Sequence, residues 1–158
     1  MANSSSPALR ALLDVQSVAA LGTLHRGEPY VSMVPFALDD DGPHFLIHVS
    51  TLAPHTKDMH ESARVSLLIV APDSGAASPQ ARARATVQGD AAPLARDSPQ
   101  YARAKTTYLA RFPQAVDIFE LADFSIFRIR PVSVRFIGGF AQAASLVGDA
   151  MMRALRGA

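Results

Sequence analysis

A chain of 158 residues has the length of one ordinary domain, and 49% hydrophobic residues suffice for a sizeable core. Fifteen Lys and Arg residues nearly balance 14 Asp and Glu residues, which excludes an electrostatic platform for nucleic acid, so no nucleic-acid partner is expected. Cysteine is absent, which excludes disulfides, thiolate metal sites and cysteine nucleophiles and is typical of a reducing compartment.

The N-terminal region has no secretory signal pattern. Residues 1–6 are small and mostly polar and are expected to be disordered, after which Pro7 opens a short amphipathic helix that reaches Val15. The longest strongly apolar run, residues 65–71, is far shorter than a membrane span. We therefore expect a cytoplasmic protein with no membrane partner.

The next part of the chain predicts an antiparallel meander. Two β-prone runs at 18–24 and 30–37 flank the turn His25-Arg26-Gly27-Glu28, and a second turn at 39–43 leads into a third strand at 44–49. Strands joined by such short turns pair antiparallel with their neighbours in the sequence.

The remaining pattern completes a small barrel. A break at 50–54 precedes a short helix at 55–61, a strand at 64–70, a loop at 72–79 and a fifth strand at 81–89. Ser98 and Pro99 begin a helix to about 111, Pro113 opens a shorter one, and the last strand spans 124–136, with a bulge or bend expected at Pro131. The Ala-rich tail predicts a helix from about 144 to 155. We therefore predict a mainly β protein with helices (α+β), a six-stranded antiparallel barrel over 7–143, and a helical tail over 144–158.

The stretch VSTLAPHTKDM, residues 49–59, carries the groups that a terminal phosphate needs. A strand ends there in Ser50 and Thr51, and a helix start follows with Thr56 and Lys57. Free amides at a helix N-terminus and the positive end of its dipole favour an anion, and a lysine neutralises part of the charge. The alternative is an ordinary helix cap beside a surface lysine.

Arg84 strengthens the anion hypothesis. It shares a predicted strand face with Arg82, and an arginine that points into a barrel wall needs an anion or a carboxylate nearby. The alternative is that both arginines lie on a solvated outer face.

The five histidines do not predict a metal site. His44 and His48 are about 13 Å apart along a strand, too far to bind one ion together. His55 and His60 point about 140° apart on a helix. We therefore expect no metal ligands among them.

Four blocks of sequence, in this order, resemble a known family. They read ALGTLHRGEPYVSMVPFALDDDG, FLIHVSTLAPHTKDMHESARVSLLI, ARATVQGDA and ADFSIFRIRPVSVRFIGGFAQA. Together, over roughly residues 10–143, they are similar to the pyridoxamine 5′-phosphate oxidase-like FMN-binding split barrels and, within them, to the HugZ-type haem-utilisation branch. The most distinctive parts are the Ser, Leu, Ala, His and Thr series after the third strand and the closing Ile137, Gly138, Gly139, Phe140 and Ala143.

This resemblance implies a split β-barrel of the FMN-binding type, and a homodimer that holds FMN at the subunit interface. It implies that the flavin ring lies against the second strand and that the phosphate lies at the turn before the first barrel helix and at the fifth strand. The cofactor-binding residues expected on this basis are Ser32, Met33, Val34, Pro35, Ser50, Thr51, His55, Thr56, Lys57 and Arg84.

Three functions follow from these expectations. The first is an FMN-dependent oxidoreductase with a small-molecule substrate not yet assigned, in which no side chain stands out as a general acid or base. The second is a haem-binding or haem-degrading protein, for which the HugZ-type resemblance implies a histidine ligand from a C-terminal segment. The last histidine here is His60, and the chain stops about where the barrel ends, so the first function is the main expectation. The third is a non-catalytic flavin-binding dimeric module.

Overall fold

The computed structural model describes residues 5–75, 78–139 and 141–158. Four α-helices lie at α1 Ser5–Val15, α2 Pro54–Glu61, α3 Pro99–Arg111 and α4 Gly148–Arg156, and two 3₁₀ segments lie at Pro79–Ala81 and Pro113–Glu120. The strands are β1 Val18–His25, β2 Glu28–Pro35, β3 Ala37–Leu38, β4 Phe45–Ser50, β5 Arg64–Val70, β6 Arg84–Pro93, β7 Phe124–Gly139 and β8 Gln142–Val147.

All strand pairs are antiparallel, in the order β2-β1-β5-β6-β7-β4-β3, with β8 added to β7. The sheet is curled into a half-barrel, so the predicted α+β split-barrel fold is confirmed. Alternation along β1 positions the functional residues, because Leu21 and Thr23 are buried on its inner face while Val18 and Leu24 are exposed on its outer face.

Two hydrophobic cores lie on opposite sides of β7. The first fills the half-barrel and includes Phe127, and the second packs α3 and the 3₁₀ segment that follows it against a face that includes Ile126. Adjacent residues of one strand point to opposite faces, so β7 contributes to both cores.

The end of the barrel differs from the prediction. The described residues form eight strands instead of the predicted six, because the two-residue β3 and the six-residue β8 were not predicted. The tail was expected to be helical from about 144, but residues 142–147 pair with β7 and α4 begins only at Gly148. Pairing along β7 outweighs the helical preference of the alanines, so the boundary expected at 143 lies inside a strand.

Other element boundaries differ from the prediction by only a few residues. Helix α1 begins at Ser5, within the segment 1–6 that was expected to be disordered, while residues 1–4 lie outside the described residues. Strand β6 runs over 84–93 rather than 81–89, which leaves Arg82 in the turn before it.

The bulge expected at Pro131 is present. The register between β6 and β7 shifts where Gly89 faces Pro131. A Cβ atom on Gly89 would approach the carbonyl oxygen of Arg130 to 2.6 Å, so this close approach of two backbones requires a glycine.

No helix in the described parts of the chain has the length and apolar character needed to cross a bilayer.

Candidate functional site

A buried carboxylate lies where α2 packs over the inner face of β1. Asp58 accepts hydrogen bonds from the Thr23 hydroxyl, 2.7 Å from Oδ2, and from His25 Nδ1, 2.7 Å from Oδ1. Burial acts to raise the pKa of Asp58, but the hydrogen bonds from Thr23 and His25 outweigh it and hold that pKa below its ordinary value. Asp58 is therefore an ionised carboxylate with a partner on each oxygen.

A second pair lies one turn earlier on α2. Nδ1 of His55 is 3.0 Å from the hydroxyl oxygen of Ser32, which is on the inner face of β2. Burial lowers the pKa of His55 below its ordinary value, so its imidazole is neutral near neutral pH. Two of the residues predicted at the cofactor, Ser32 and His55, are thus in contact.

The polar groups predicted to hold a phosphate instead organise the turn before α2. The Ser50 hydroxyl donates to Oδ2 of Asp123 at 2.8 Å and accepts from the amide of Leu52. The Thr56 hydroxyl donates to the carbonyl oxygen of Ser50 at 2.6 Å, and the amide of Thr51 donates to the carbonyl oxygen of Asp123. This arrangement matches the alternative of a locally bonded helix start.

Arg84 lies away from this turn. Its guanidinium donates to the carbonyl oxygens of Gln80 and Arg82. In the ladder between β5 and β6 it pairs with Val70, six residues along the strand from Arg64, which follows α2. That separation is about 20 Å at strand rise, so Arg84 and the exposed Lys57 on α2 lie near opposite ends of β5.

The strand predicted to contact the ring presents its residues to two faces. Val34 is buried in the first core and Ser32 points towards α2, whereas Met33 is 65% exposed on the outer face and the half-buried Pro35 pairs with Val18. Only part of the predicted set can therefore contact one ligand within one subunit.

The outer face of the sheet is apolar and exposed. We call it the outer apolar face, and its residues are Val18, Leu24, Val31, Met33 and Leu68. The register places Gly22 opposite both Val31 and Ser66, which opens a depression between the larger side chains. An adjoining groove of about 330 Å³ runs from Gly22 to Arg64 and Gln88. Contiguous apolar patches of this kind mark interaction or ligand sites.

Sequence reasoning did not find Asp58, His25 or Thr23 as a group. Asp58 is 33 residues from His25 and 35 from Thr23, and no local motif joins them. The one available signal was the alternation that places Thr23 and His25 on the same face of β1.

A half-barrel with a helix over one end and an apolar outer face defines a split-barrel protein. The chain belongs to the pyridoxamine 5′-phosphate oxidase family, whose model matches residues 5–138, and to its HugZ-type branch. Both levels of the predicted resemblance are confirmed.

Three relatives support this assignment. The chloroplastic haem oxygenase HOZ of Arabidopsis thaliana is 41% identical over 121 residues, which cover 75% of this chain and 35% of that protein. The haem oxygenase HutZ of Vibrio cholerae is 30% identical over 125 residues, covering 78% of this chain and 70% of that protein. A haem-binding protein from Mycobacterium smegmatis superposes with a TM-score of 0.84 at 29% identity, over 95% of this chain and 60% of that one. The chain thus spans about a third of one relative and well over half of the others.

These relatives correct the prediction of the cofactor. The expected FMN is wrong, because the named relatives are haem oxygenases and a haem-binding protein. The same finding favours the haem alternative over the FMN-dependent oxidoreductase.

Proposed function

We propose that this protein binds haem and takes part in its oxidative breakdown, as a haem oxygenase of the HugZ type. The observation that carries the proposal is the 41% identity to a haem oxygenase across three quarters of the chain. The 30% identity to a second haem oxygenase, over 70% of that protein, supports it independently.

The outer apolar face suits this ligand. Haem is a flat, largely apolar ring with two carboxylates on one edge, so it needs an apolar wall and cations at the rim. Met33 and Val31 supply apolar contacts, and Arg64 lines the adjoining groove. Of the residues first assigned to a flavin, we therefore reassign Met33 to the haem ring, and we assign the haem carboxylates to Arg64.

The groove in one subunit is small for haem. Its volume is about 330 Å³. Ligand pockets range upward from roughly 300 Å³, so this groove is near the lower limit. A second copy of the chain, placed against the outer apolar face, would supply the opposite wall and cover the exposed apolar side chains. Proteins of this fold are often dimers, so we propose a homodimer with haem at its interface.

In this proposal haem supplies the iron that reacts with oxygen, and an external reductant supplies the electrons. The protein's residues bind and orient the ring. The walls around Gly22 and Met33 would exclude water from it, which strengthens every electrostatic contact within the site.

The dimer can be tested by placing a charge on the outer apolar face. Val31 is 68% exposed, so Val31→Asp costs the isolated subunit little but places a carboxylate in the interface. We expect the wild type to run as a dimer and Val31→Asp as a monomer in size-exclusion chromatography with light scattering. Val147→Asp is the matched control, because Val147 is 64% exposed on β8. A monomeric wild type, or dissociation of both variants alike, would contradict the proposed interface.

Haem binding and breakdown have a direct test. We expect hemin titration to give a saturable Soret band, and ascorbate in air to bleach that band and release iron that a ferrous chelator detects. Catalase in the assay removes free peroxide, so bleaching that persists with catalase comes from haem bound in the protein. A protein that fails to saturate, or whose bound haem survives ascorbate, does not have the proposed function.

A further inference from the structure

The outer face of the sheet carries two depressions of different character. The first has a volume of about 230 Å³ and is lined by Ala20, Gly22, Val31, Ser66 and Leu68. The second is the groove of about 330 Å³ whose lining includes Arg64 and Gln88. Gly22 and Ser66 line both, so the two depressions meet there. One half of this surface is therefore apolar, and the other half carries hydrogen-bond donors and a cation.

Strand pairing brings the polar groups together. Gly22 lies opposite Ser66, and Ser66 lies opposite Gln88, so these three residues form one row across β1, β5 and β6. Arg64 lies opposite Asp90 in the next row on the same face. Residues directly opposite each other have Cβ atoms about 4.5–5.5 Å apart, so Ser66 and Gln88 can bind one carboxylate together.

A neighbouring hydroxyl orients the amide of Gln88. The hydroxyl of Ser133, on β7, donates to Oε1 of Gln88 at 3.1 Å. The acceptor end of the amide is therefore occupied, while Nε2 keeps its two N–H donors. Within the described residues, neither Nε2 of Gln88 nor the hydroxyl of the half-buried Ser66 makes a hydrogen bond. Both groups are therefore available to a ligand in the groove that they line.

A carboxylate holds Arg64 beside this row. One oxygen of Asp90 lies 3.2 Å from Nε of Arg64, and the other lies 2.8 Å from Nη2 of Arg130. The net charge of these three residues is positive, so the cluster attracts an anion. The Arg64 side chain is 71% exposed, and a guanidinium has five N–H donors. Arg64 can therefore bind a ligand carboxylate while Asp90 holds its Nε edge.

Haem has the same division as this surface, with an apolar ring and two carboxylates on one edge. From this geometry we propose that Ser66, Gln88 and Arg64 together form the carboxylate subsite of the haem site. Ser133 is the positioning residue of Gln88, and the ring lies over the apolar depression. The inference rests on the proposed haem binding. It adds the groups by which the site selects a porphyrin with free carboxylates over a neutral one.

The test compares hemin with hemin dimethyl ester, in which both carboxylates are neutral. Titration of the full chain with each compound in the same solvent mixture, followed by the Soret band, gives the two dissociation constants. We expect the wild type to bind hemin at least about tenfold more tightly than the ester, because the ester cannot accept charge-assisted hydrogen bonds. Gln88→Glu keeps the shape of the side chain but replaces two donors with a negative charge. It should weaken hemin binding by roughly tenfold to hundredfold and leave ester binding unchanged.

Three further variants complete the comparison. Arg64→Gln should weaken hemin binding and spare the ester, as Gln88→Glu does. Arg135→Gln is the matched control, since it removes an exposed cation on the same face of the sheet outside the groove, and it should change neither constant. Ser133→Ala should weaken hemin binding by roughly twofold to tenfold, and Ser133→Thr, which keeps the hydroxyl, should restore it. Thermal unfolding of each variant without haem shows whether it is folded.

The outcomes separate this inference from the proposed function. A wild type that binds neither compound overturns both. A wild type that binds hemin and its ester equally well overturns the carboxylate subsite and leaves haem binding in place. The subsite is also overturned if folded Gln88→Glu and Arg64→Gln keep the wild-type affinity for hemin, or lose hemin and ester alike. Wild-type hemin affinity in Ser133→Ala, or no recovery in Ser133→Thr, overturns the positioning role of Ser133.

Discussion

Phe127→Ala is expected to lower the free energy of unfolding by about 3–5 kcal/mol, the range for removing a buried phenylalanine ring. The ring is fully buried in the first core, on the strand shared by both cores. Phe127 pairs with Ile47 on one side and Pro93 on the other, so neighbouring strands hold the backbone around the cavity and limit its collapse. The ring centroid of His60, on α2, is 5.2 Å from that of Phe127. The substitution therefore also removes a packing contact between α2 and the sheet.

Urea unfolding followed by circular dichroism measures this loss. Leu121→Ala is the control, since Leu121 is 47% exposed, and a substitution at such a site changes the free energy of unfolding by no more than about 0.5 kcal/mol. A loss below about 1 kcal/mol in Phe127→Ala would mean that the ring does not pack as described.

Acidification from pH 6.5 to pH 4 is expected to remove about 3 kcal/mol of stability through His48 alone. Burial, followed by the charges of Arg96 and Lys105, lowers the pKa of His48 from 6.5 to about 4. Below pH 6.5 His48 becomes protonated in the unfolded chain, whereas in the folded chain it becomes protonated only near pH 4. The unfolded state binds more protons over that window, so stability falls as the pH falls.

The contribution of His48 is isolated by comparison with His48→Phe, which keeps an aromatic ring against Phe119. Burial also lowers the pKa values of His44 and His55. These two histidines therefore reduce the stability of the wild type and of His48→Phe alike as the pH falls. The pKa of Asp58 is lowered too, so the stability it contributes is lost only as the pH falls below its ordinary value of 3.8. We expect the wild-type curve to fall more steeply between pH 6.5 and 4, as measured by urea unfolding at each pH. Parallel curves for the two proteins would show that folding does not lower the pKa of His48.

Much of the fold could be predicted from local patterns. Alternation in β1 and β2, the cap at Ser98 and the break before α2 all correspond to elements of the structure. The cap is direct, since the side-chain oxygen of Ser98 accepts from the amide of Tyr101. Strand β8 was missed because its alanines favour a helix locally, while its pairing depends on a β7 edge that only the tertiary structure provides.

The candidate site was less predictable, for a physical reason. The sequence shows that Ser50 and Thr56 can hydrogen-bond an anion, but the choice between an anion and the local backbone depends on geometry. Here both hydroxyls bond within their own turn or to Asp123. The pairing of His25 with Asp58 joins a strand end to a helix face, and such a contact follows from the packing of α2 rather than from spacing along the chain.

Strand β7 has a consequence for how the molecule comes apart. Ile126 belongs to the core beside α3, and its neighbour Phe127 belongs to the core inside the half-barrel. Both clusters pack on strand β7, so neither can unfold without exposing buried side chains of the other. The two therefore unfold as a single cooperative unit. Damage on the α3 side is therefore transmitted to the core inside the half-barrel, although the two clusters share no side chain.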